Sequence, residues 1–523
     1  MRLPVLQPDW IFANKIENGE KSHIPYQKVS KQDPKTRSGN FLEVSLGFTE
    51  EQAIVEAARC FNCNHHPCTV ACPVQNDIPT ALYHIEIGDF TGAADVFRDQ
   101  STFPEVCGRL CPQENLCEGA CIEGNIEGNA PVAIGRLEAF CTDYQRKVLG
   151  GFPQPEVRSS TGQRVAVVGT GPAGLAAAEN LTVAGHSVTA YEWWPEPGGL
   201  LLYGIPGFKL EKEVVVQKVD FLKSLGVTFI TGVKIGRDIT VDQLFEQGFD
   251  AVFLTTGAPI GGSLGVEGQN LKRVYQATDF LVRGNLPLDQ LPRSQQSRPE
   301  VGLRTLVVGG GDTAMDCVRT SVRLMKGKGE VICMYRRSDA EMTGRLEEKI
   351  HAKDEGVKFH YLEVPVKFLD NPPGETQDLK HLVVTPDGEV KGGVVVRMKL
   401  GEPDSSGRRR PEPIEGSEYF LEADTVVLAI GYSPDPEVPK STPDLEVDRK
   451  FRIKVKTEQT GETSREGVFA AGDNVRGADL IVTAIAAARE AAIACDSYLR
   501  TRATSRRRAA QPSASPEVRQ QPA

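Results

Sequence analysis

Residues 164–192 read RVAVVGTGPAGLAAAENLTVAGHSVTAYE, and the reading of this stretch decides the fold. An apolar strand runs into a glycine turn, then an alanine-rich helix ending at Gly185, then a second strand closed by an acid. That order is the unit that cradles a dinucleotide. Gly169 permits the tight turn, Gly171 lets the backbone approach a pyrophosphate at the helix N-terminus, and Gly174 allows the helix to pack closely on the strand. Glu192 is placed to meet a pair of ribose hydroxyls.

A second unit of the same kind lies downstream. Residues 305–337, TLVVGGGDTAMDCVRTSVRLMKGKGEVICMYRR, again give strand, glycine turn, helix and strand, with Gly309, Gly311 and Ala314 at the fingerprint positions. Asp312 and Thr313 stand at the helix start, where they can cap the helix, bind pyrophosphate, or both. This second strand ends in Arg336 and Arg337 where the first ends in an acid; arginine pairs with a 2′-phosphate that an acid would repel, so NADPH is preferred to NADH here. Solvated surface arginine is the plain alternative. The first unit alone does not separate FAD from NAD. A block at 468–494, VFAAGDNVRGADLIVTAIAAAREAAIA, separates them better. In it Gly472-Asp473 follows a strand, so a carboxylate can hydrogen-bond a ribitol chain and the next helix can aim its N-terminal amides at a flavin. Gly198-Gly199-Leu200 and Tyr203-Gly204-Ile205-Pro206 offer close backbone approach beside the flavin ring.

Upstream of both units the texture is different. Eight of the twelve cysteines fall between Cys60 and Cys121, after a helix-like run from Thr49 to Arg59. The first block is Cys60-x2-Cys63-x4-Cys68-x3-Cys72-Pro73, the second Cys107-x3-Cys111-Pro112-x4-Cys117-x3-Cys121. Short loops with three thiolates and a distant fourth ligand follow ferredoxin logic. It groups Cys60, Cys63, Cys68 and Cys121 on one iron–sulfur cluster and Cys72, Cys111 and Cys117 on another, the second set being one ligand short. Cys107 is either that ligand or a buried thiol. Structural zinc is the competing reading, but zinc sites tend to repeat the two-residue spacing in both halves. Cys141, Cys317, Cys333 and Cys495 are isolated in apolar segments and read as core residues.

The bulk properties agree with a large cytoplasmic protein. At about 150 residues per domain, 523 residues make roughly three domains. A net charge of −10 speaks against nucleic-acid binding. No apolar run suits a membrane span, the start MRLPVLQPDWIF has no secretory apolar core, and thiols in such a chain serve metal or redox chemistry rather than disulfides. The one basic cluster, six arginines against one glutamate from Arg500 onward, reads as a disordered tail. GGFPQPEVRSSTGQ at 150–163 and PLDQLPRSQQSRPE at 287–300 read as linkers.

Five segments carry a family resemblance: PEVCGRLCPQENLCEGAC, GIPGFKLEKEV, GGGDTAMDCVRTSVR, LGEPDSSGRRR and GDNVRGADLIVTAIA. From about Thr49 to Arg500 the chain resembles the small (beta) subunit of bacterial NADPH-dependent glutamate synthase. It is also similar to the electron-input half of dihydropyrimidine dehydrogenase and to the large subunit of electron-bifurcating ferredoxin-NADP reductases. The resemblance implies that Glu138, in the segment AIGRLE, is the missing ligand of the second cluster. It also implies an α/β architecture: a helical iron–sulfur domain (1–150), a Rossmann-like FAD domain in two pieces (151–290 and 455–500) with an inserted NADPH domain (291–454), and the tail 501–523. Relatives commonly carry Met-Pro after the arginines; this chain reads Glu341-Met342-Thr343-Gly344. The expected cofactors are FAD, NADPH and two [4Fe-4S] clusters. Hydride transfer needs nicotinamide placed against flavin and no acid or base, so no catalytic side chain is expected. Glutamate formation would require a large synthase subunit as partner; an electron-input module for another acceptor and a non-catalytic scaffold are the other readings.

Overall fold

The computed structural model describes residues 18–510 apart from 293–294, 375–378, 380–381 and 405–406, with side chains as far as residue 503. Thr49 starts the helix Glu50–Ala57 with a capping box: its hydroxyl accepts from Gln52 N (3.2 Å) and its own N–H donates to Gln52 Oε1 (3.1 Å). This helix leads into the cysteines as expected. Helices Ile78–Glu86, Phe90–Gln100, Pro104–Leu110 and Ile134–Leu149 form the rest of the cysteine region, and the two cysteine blocks occupy the turns and short helices around them.

The stretch that opened the sequence reading forms the middle of a five-stranded parallel sheet, ordered Val468–Ala470, Ala251–Leu254, Arg164–Val168, Ser187–Tyr191 and Thr228–Ile230. Alternation along its central strand divides the interior in two. Val165 and Val167 face a core with the helices Pro172–Val183 and Ile481–Ala510, while Ala166 and Val168 face another with Val241, Leu244 and Ile453. The first of these cores is continuous with the cysteine region: Val106, Leu137 and Cys141 belong to the same cluster as Leu175, Ala488 and Leu499. Lys218 stitches the two halves again, donating to Thr102 O (2.6 Å) from a position 4.8–5.5 Å above the rings of Phe103, Phe152 and Phe221.

The second sheet is also parallel and five-stranded, ordered Val274–Gln276, Thr425–Leu428, Arg304–Val308, Glu330–Tyr335 and Lys358–Tyr361. An antiparallel group, Glu363–Leu369, Gly392–Pro403, Arg409–Pro413 and Tyr419–Glu422, is attached to it. The chain leaves the first sheet after Leu254 and rejoins it at Val468, so the second body is inserted into the first. The linker-based limits of the insertion need correction. Val274 pairs with Val426, which starts the inserted body before residue 291. Val438, Leu445 and Ile453 pack in a core of the first body, which ends the insertion before residue 454. The last helix runs to Ala510, so residues 501–510 are helical rather than tail; residues 511–523 lie outside the described residues.

Buried charge joins the inserted body to the rest. Glu355 accepts from Arg37 (2.9 Å), Arg319 (2.8 Å) and Arg323 (2.7 Å), and Lys209 pairs with Asp316 (2.8 Å). Among the described residues no helix is long and apolar enough to cross a membrane.

Candidate functional site

The first glycine turn opens onto a cleft of about 250 Å³. Gly169 sits at φ +94°, and a Cβ there would lie 2.4 Å from Thr255 O; a Cβ on Gly174 would lie 2.0 Å from Gly169 O. Only glycine fits these two positions. Gly171 is different, because nothing in the protein lies within 4 Å of a Cβ built on it. Its bareness leaves free space at the N-terminus of the helix Pro172–Val183, where a phosphate is welcome. Gly199, Leu200 and Asp473 line the same cleft, and a Cβ on Gly199 would meet Gly171 Cα at 2.7 Å. Gly472 turns at φ +86° just before Asp473. Burial and the neighbouring Asp479 push the Asp473 carboxyl up to about 7. Glu192, 4% exposed, stands at the strand end as expected and is already engaged by the loop: it accepts from Thr170 N (3.2 Å), Thr170 Oγ1 (2.5 Å) and Trp194 N (3.1 Å). Burial pushes its carboxyl up, against the pull of those hydrogen bonds.

Sequence reasoning missed part of this wall. Thr255 lines the cleft and donates to Val168 O and Gly169 O (both 2.9 Å), and the small-residue run Thr255–Ala258 after the apolar AVFL was the available signal. Lys212 was missed too. It is buried and holds the loop beside the cleft by donating to Leu201 O (2.8 Å) and Ile205 O, while burial brings its ammonium down to about 7.

The second turn repeats the plan. Gly309 has φ +152°, a Cβ on it would lie 2.2 Å from Ala429 O, and Gly311 is the N-cap of the helix Asp312–Leu324. Asp312 does not cap this helix: its carboxylate accepts from Arg345 N (3.0 Å). Thr313 lies beside Tyr432. The departure at 341–344 now has a physical place. Gly344 N donates to Gly310 O (2.9 Å), and a Cβ on Gly344 would already be 3.3 Å from Gly311 C, so the Thr343-Gly344 segment lies directly on the turn. Of the two arginines, Arg336 is exposed, whereas Arg337 is 5% exposed and paired with Asp404 (2.7 Å).

The eight clustered thiols sort into two cavities. Cys60, Cys63, Cys68 and Cys121 line one; Cys72, Cys111 and Cys117 line another, together with both candidates for a fourth ligand, Cys107 and Glu138. Burial pushes the Cys60 thiol up to about 12 and those of Cys68 and Cys72 to about 11. Glu138, 6% exposed, is also pushed up by burial and accepts from Asn76 Nδ2 (3.2 Å). Among the described residues no three His, Cys, Asp or Glu side chains converge closely enough to hold a single metal ion. Thiols ringing a cavity suit a multi-iron cage better than one tetrahedral zinc.

The cavities stand in series. Ile481 lines the large cleft and the next residue, Val482, lines the Cys72–Cys111–Cys117 cavity; Ile134 lines both thiol cavities.

Comparison with known proteins fits this geometry. Residues 37–149 match the family described as dihydropyrimidine dehydrogenase domain II, 4Fe-4S cluster, and residues 163–488 match pyridine nucleotide-disulphide oxidoreductase. The chain is 38% identical to the glutamate synthase [NADPH] small chain of Halomonas elongata over 498 residues, covering 93% of this chain and 100% of the relative. It is 39% identical to the protein of that name in Escherichia coli K12 over 478 residues, covering 90% and 96%. Mycobacterium tuberculosis FprA in complex with NADPH is similar in fold, with a TM-score of 0.52 at 20% identity over 68% of this chain and 88% of that one.

Proposed function

The chain belongs to the family of NADPH-dependent glutamate synthase small chains, and from that membership we propose that it oxidises NADPH on a bound FAD and delivers the electrons through two [4Fe-4S] clusters to a large subunit that makes glutamate from 2-oxoglutarate and glutamine. The observation that carries this reading is the serial arrangement of three cavities: the adjacent residues Ile481 and Val482 line the large cleft and the Cys72–Cys111–Cys117 cavity, and Ile134 lines both thiol cavities. A redox enzyme needs its carriers that close together, and a non-catalytic scaffold does not.

When bound, the flavin accepts hydride from the nicotinamide and the clusters carry the electrons onward singly. The residues of the chain have simpler tasks. Gly169, Gly171 and Gly174 bring the first turn and the helix N-terminus to the FAD pyrophosphate, which the helix dipole favours. Glu192 takes the ribose hydroxyls, exchanging part of its hold on Thr170. Gly472 and Asp473 present a carboxylate to the ribitol, and Gly199 with Leu200 forms the wall beside the ring. Gly309 and Gly311 present the second turn, and the helix that starts at Asp312 and Thr313, to NADPH, and Arg336 is available to its 2′-phosphate. Cys60, Cys63, Cys68 and Cys121 hold one cluster. Cys72, Cys111, Cys117 and Glu138 hold the other, Glu138 being preferred to Cys107 because the family resemblance implies it and it lines the same cavity. No side chain needs to move a proton.

Anaerobic purification with iron, sulfide and flavin assays, followed by NADPH titration, tests the proposal. About eight irons per chain, one flavin, bleaching of the flavin by NADPH and copurification of a large synthase chain are expected. Zinc in place of iron, or a flavin that stays oxidised under NADPH, overturns it.

A further inference from the structure

Phe208 and Lys209, at the centre of the motif GIPGFKLEKEV, have no task in the chemistry above. The start of the motif belongs to the flavin cleft: Ile205 lines it beside Leu200 and Leu201, and Lys212 ties this loop down through Leu201 O and Ile205 O. The loop then turns, Lys209 N donating to Pro206 O (3.0 Å), and meets the inserted body. There the helix Asp312–Leu324 offers Asp316, Arg319 and Arg323 at the spacing of one helical face. Lys209 Nζ donates to Asp316 Oδ1 (2.8 Å) with Glu348 Oε2 at 4.0 Å, and the Phe208 ring lies beneath Arg319 (4.3 Å) and Arg323 (4.0 Å). Phe208 is 1% exposed, and the side chains of Lys209 and Asp316 are 8% and 9% exposed. Burial would lower the Lys209 ammonium, but Asp316 and Glu348 raise it above its usual value, so a cation is held there. The chain itself passes between the two bodies on one short antiparallel pair, Ile260–Gly261 with Tyr432–Ser433. Two residues a side do not fix the angle between two sheets. The register of the bodies therefore depends on side-chain contacts across the junction, and Asp316 lies one turn beyond the start of the helix that Gly311 caps.

We propose that Lys209 is a positioning residue for hydride transfer: paired with Asp316, it fixes the nucleotide-bearing helix against the loop that walls the flavin, and so sets where the nicotinamide falls on the ring. This rests on the reading of the cleft as the FAD site and of the second turn as the NADPH site. Hydride passes only between atoms about 3–3.5 Å apart, and a misplacement of about 1 Å costs about a hundredfold in rate. Removing one member of a buried pair leaves the other uncompensated, an imbalance the helix can relieve by moving. A lysine that merely added stability would leave the spacing of the two rings unchanged.

Anaerobic stopped-flow reduction of the holoenzyme by saturating NADPH, with the long-wavelength charge-transfer absorbance of reduced flavin and NADP+ as a second readout, tests the assignment. Lys209→Met lowers the limiting rate of flavin bleaching roughly ten- to a hundredfold and removes the charge-transfer band, while NADP+ affinity stays within about twofold. Lys209→Arg keeps rate and band near wild type. Lys218→Met, which loses a buried lysine away from this junction, lowers stability and keeps the band. If Lys209→Met does not fold, Phe208→Leu, which removes the ring beneath Arg319 and Arg323 but stays apolar, is expected to show the same loss of rate and band. A Lys209→Met protein with unchanged limiting rate and band, whatever its stability, overturns the proposal, as does one whose slow bleaching is cured by more NADPH. A wild-type flavin that NADPH leaves oxidised overturns the proposed function itself, whereas one that bleaches leaves that function standing whichever way the variants fall.

Discussion

Glu138 and Cys107 both face the cavity lined by Cys72, Cys111 and Cys117, and the choice between them belongs to single side chains. Glu138→Ala is expected to lose one cluster, so that iron falls from about eight to about four per chain and one of two low-temperature paramagnetic signals disappears after reduction. Cys107→Ala is expected to keep both. Iron and sulfide assays with electron paramagnetic resonance decide it, and the reverse pattern would make Cys107 the ligand. At this scale the sequence was legible wherever the needed chemistry is local. The glycines stand out by their spacing and the cysteines by theirs, and the cysteines line two separate cavities. Arg337 was not legible in the same way: its partner Asp404 is 67 residues away, and nothing in a strand-end Arg-Arg says which of the two will be buried. Asp312 shows the same limit, since its partner, the amide of Arg345, belongs to a loop that only folding lays over the turn.

Among the elements, the helix Asp312–Leu324 is held by the most concentrated buried charge, with Arg319 and Arg323 meeting at Glu355 beside Arg37 from the N-terminal segment. Burial alone would raise the Glu355 carboxyl, but the hydrogen bonds and charges of Arg323 and Arg319 bring it down to about 2. A carboxylate lowered in the folded state lends stability above its unfolded value, near about 4.3, and that stability is lost as pH falls toward about 2. Glu355→Gln is accordingly expected to cost about 3 kcal/mol at pH 7 and much less near pH 3, as read by urea unfolding at the two pH values. A uniform loss at both would refute an electrostatic cause. The elements themselves were mostly foreseen, because periodicity and capping residues such as Thr49 act within a few residues. The limits of the inserted body were not, because they hang on the pairing of Val274 with Val426, two residues from distant parts of the sequence.

Across the whole molecule, the order of bodies followed from two repeated units and a cysteine-rich leader, but no local pattern foretold that the cysteine region and the first sheet share one interior. That shared core has a kinetic meaning. Hydride transfer needs a nucleotide to diffuse in and out, so turnover should slow as glycerol thickens the solvent. The step from flavin to iron should not, and stopped-flow traces in graded glycerol will separate the two; a matching slowdown of both would show that the cage and the ring move apart between turnovers.

The C-terminal helix makes the reason concrete, since Ile481 and Val482, the first two residues of its first turn, line different chambers. A partition built from the start of one helix moves as a piece, so the two rooms keep their spacing when the surrounding loops move.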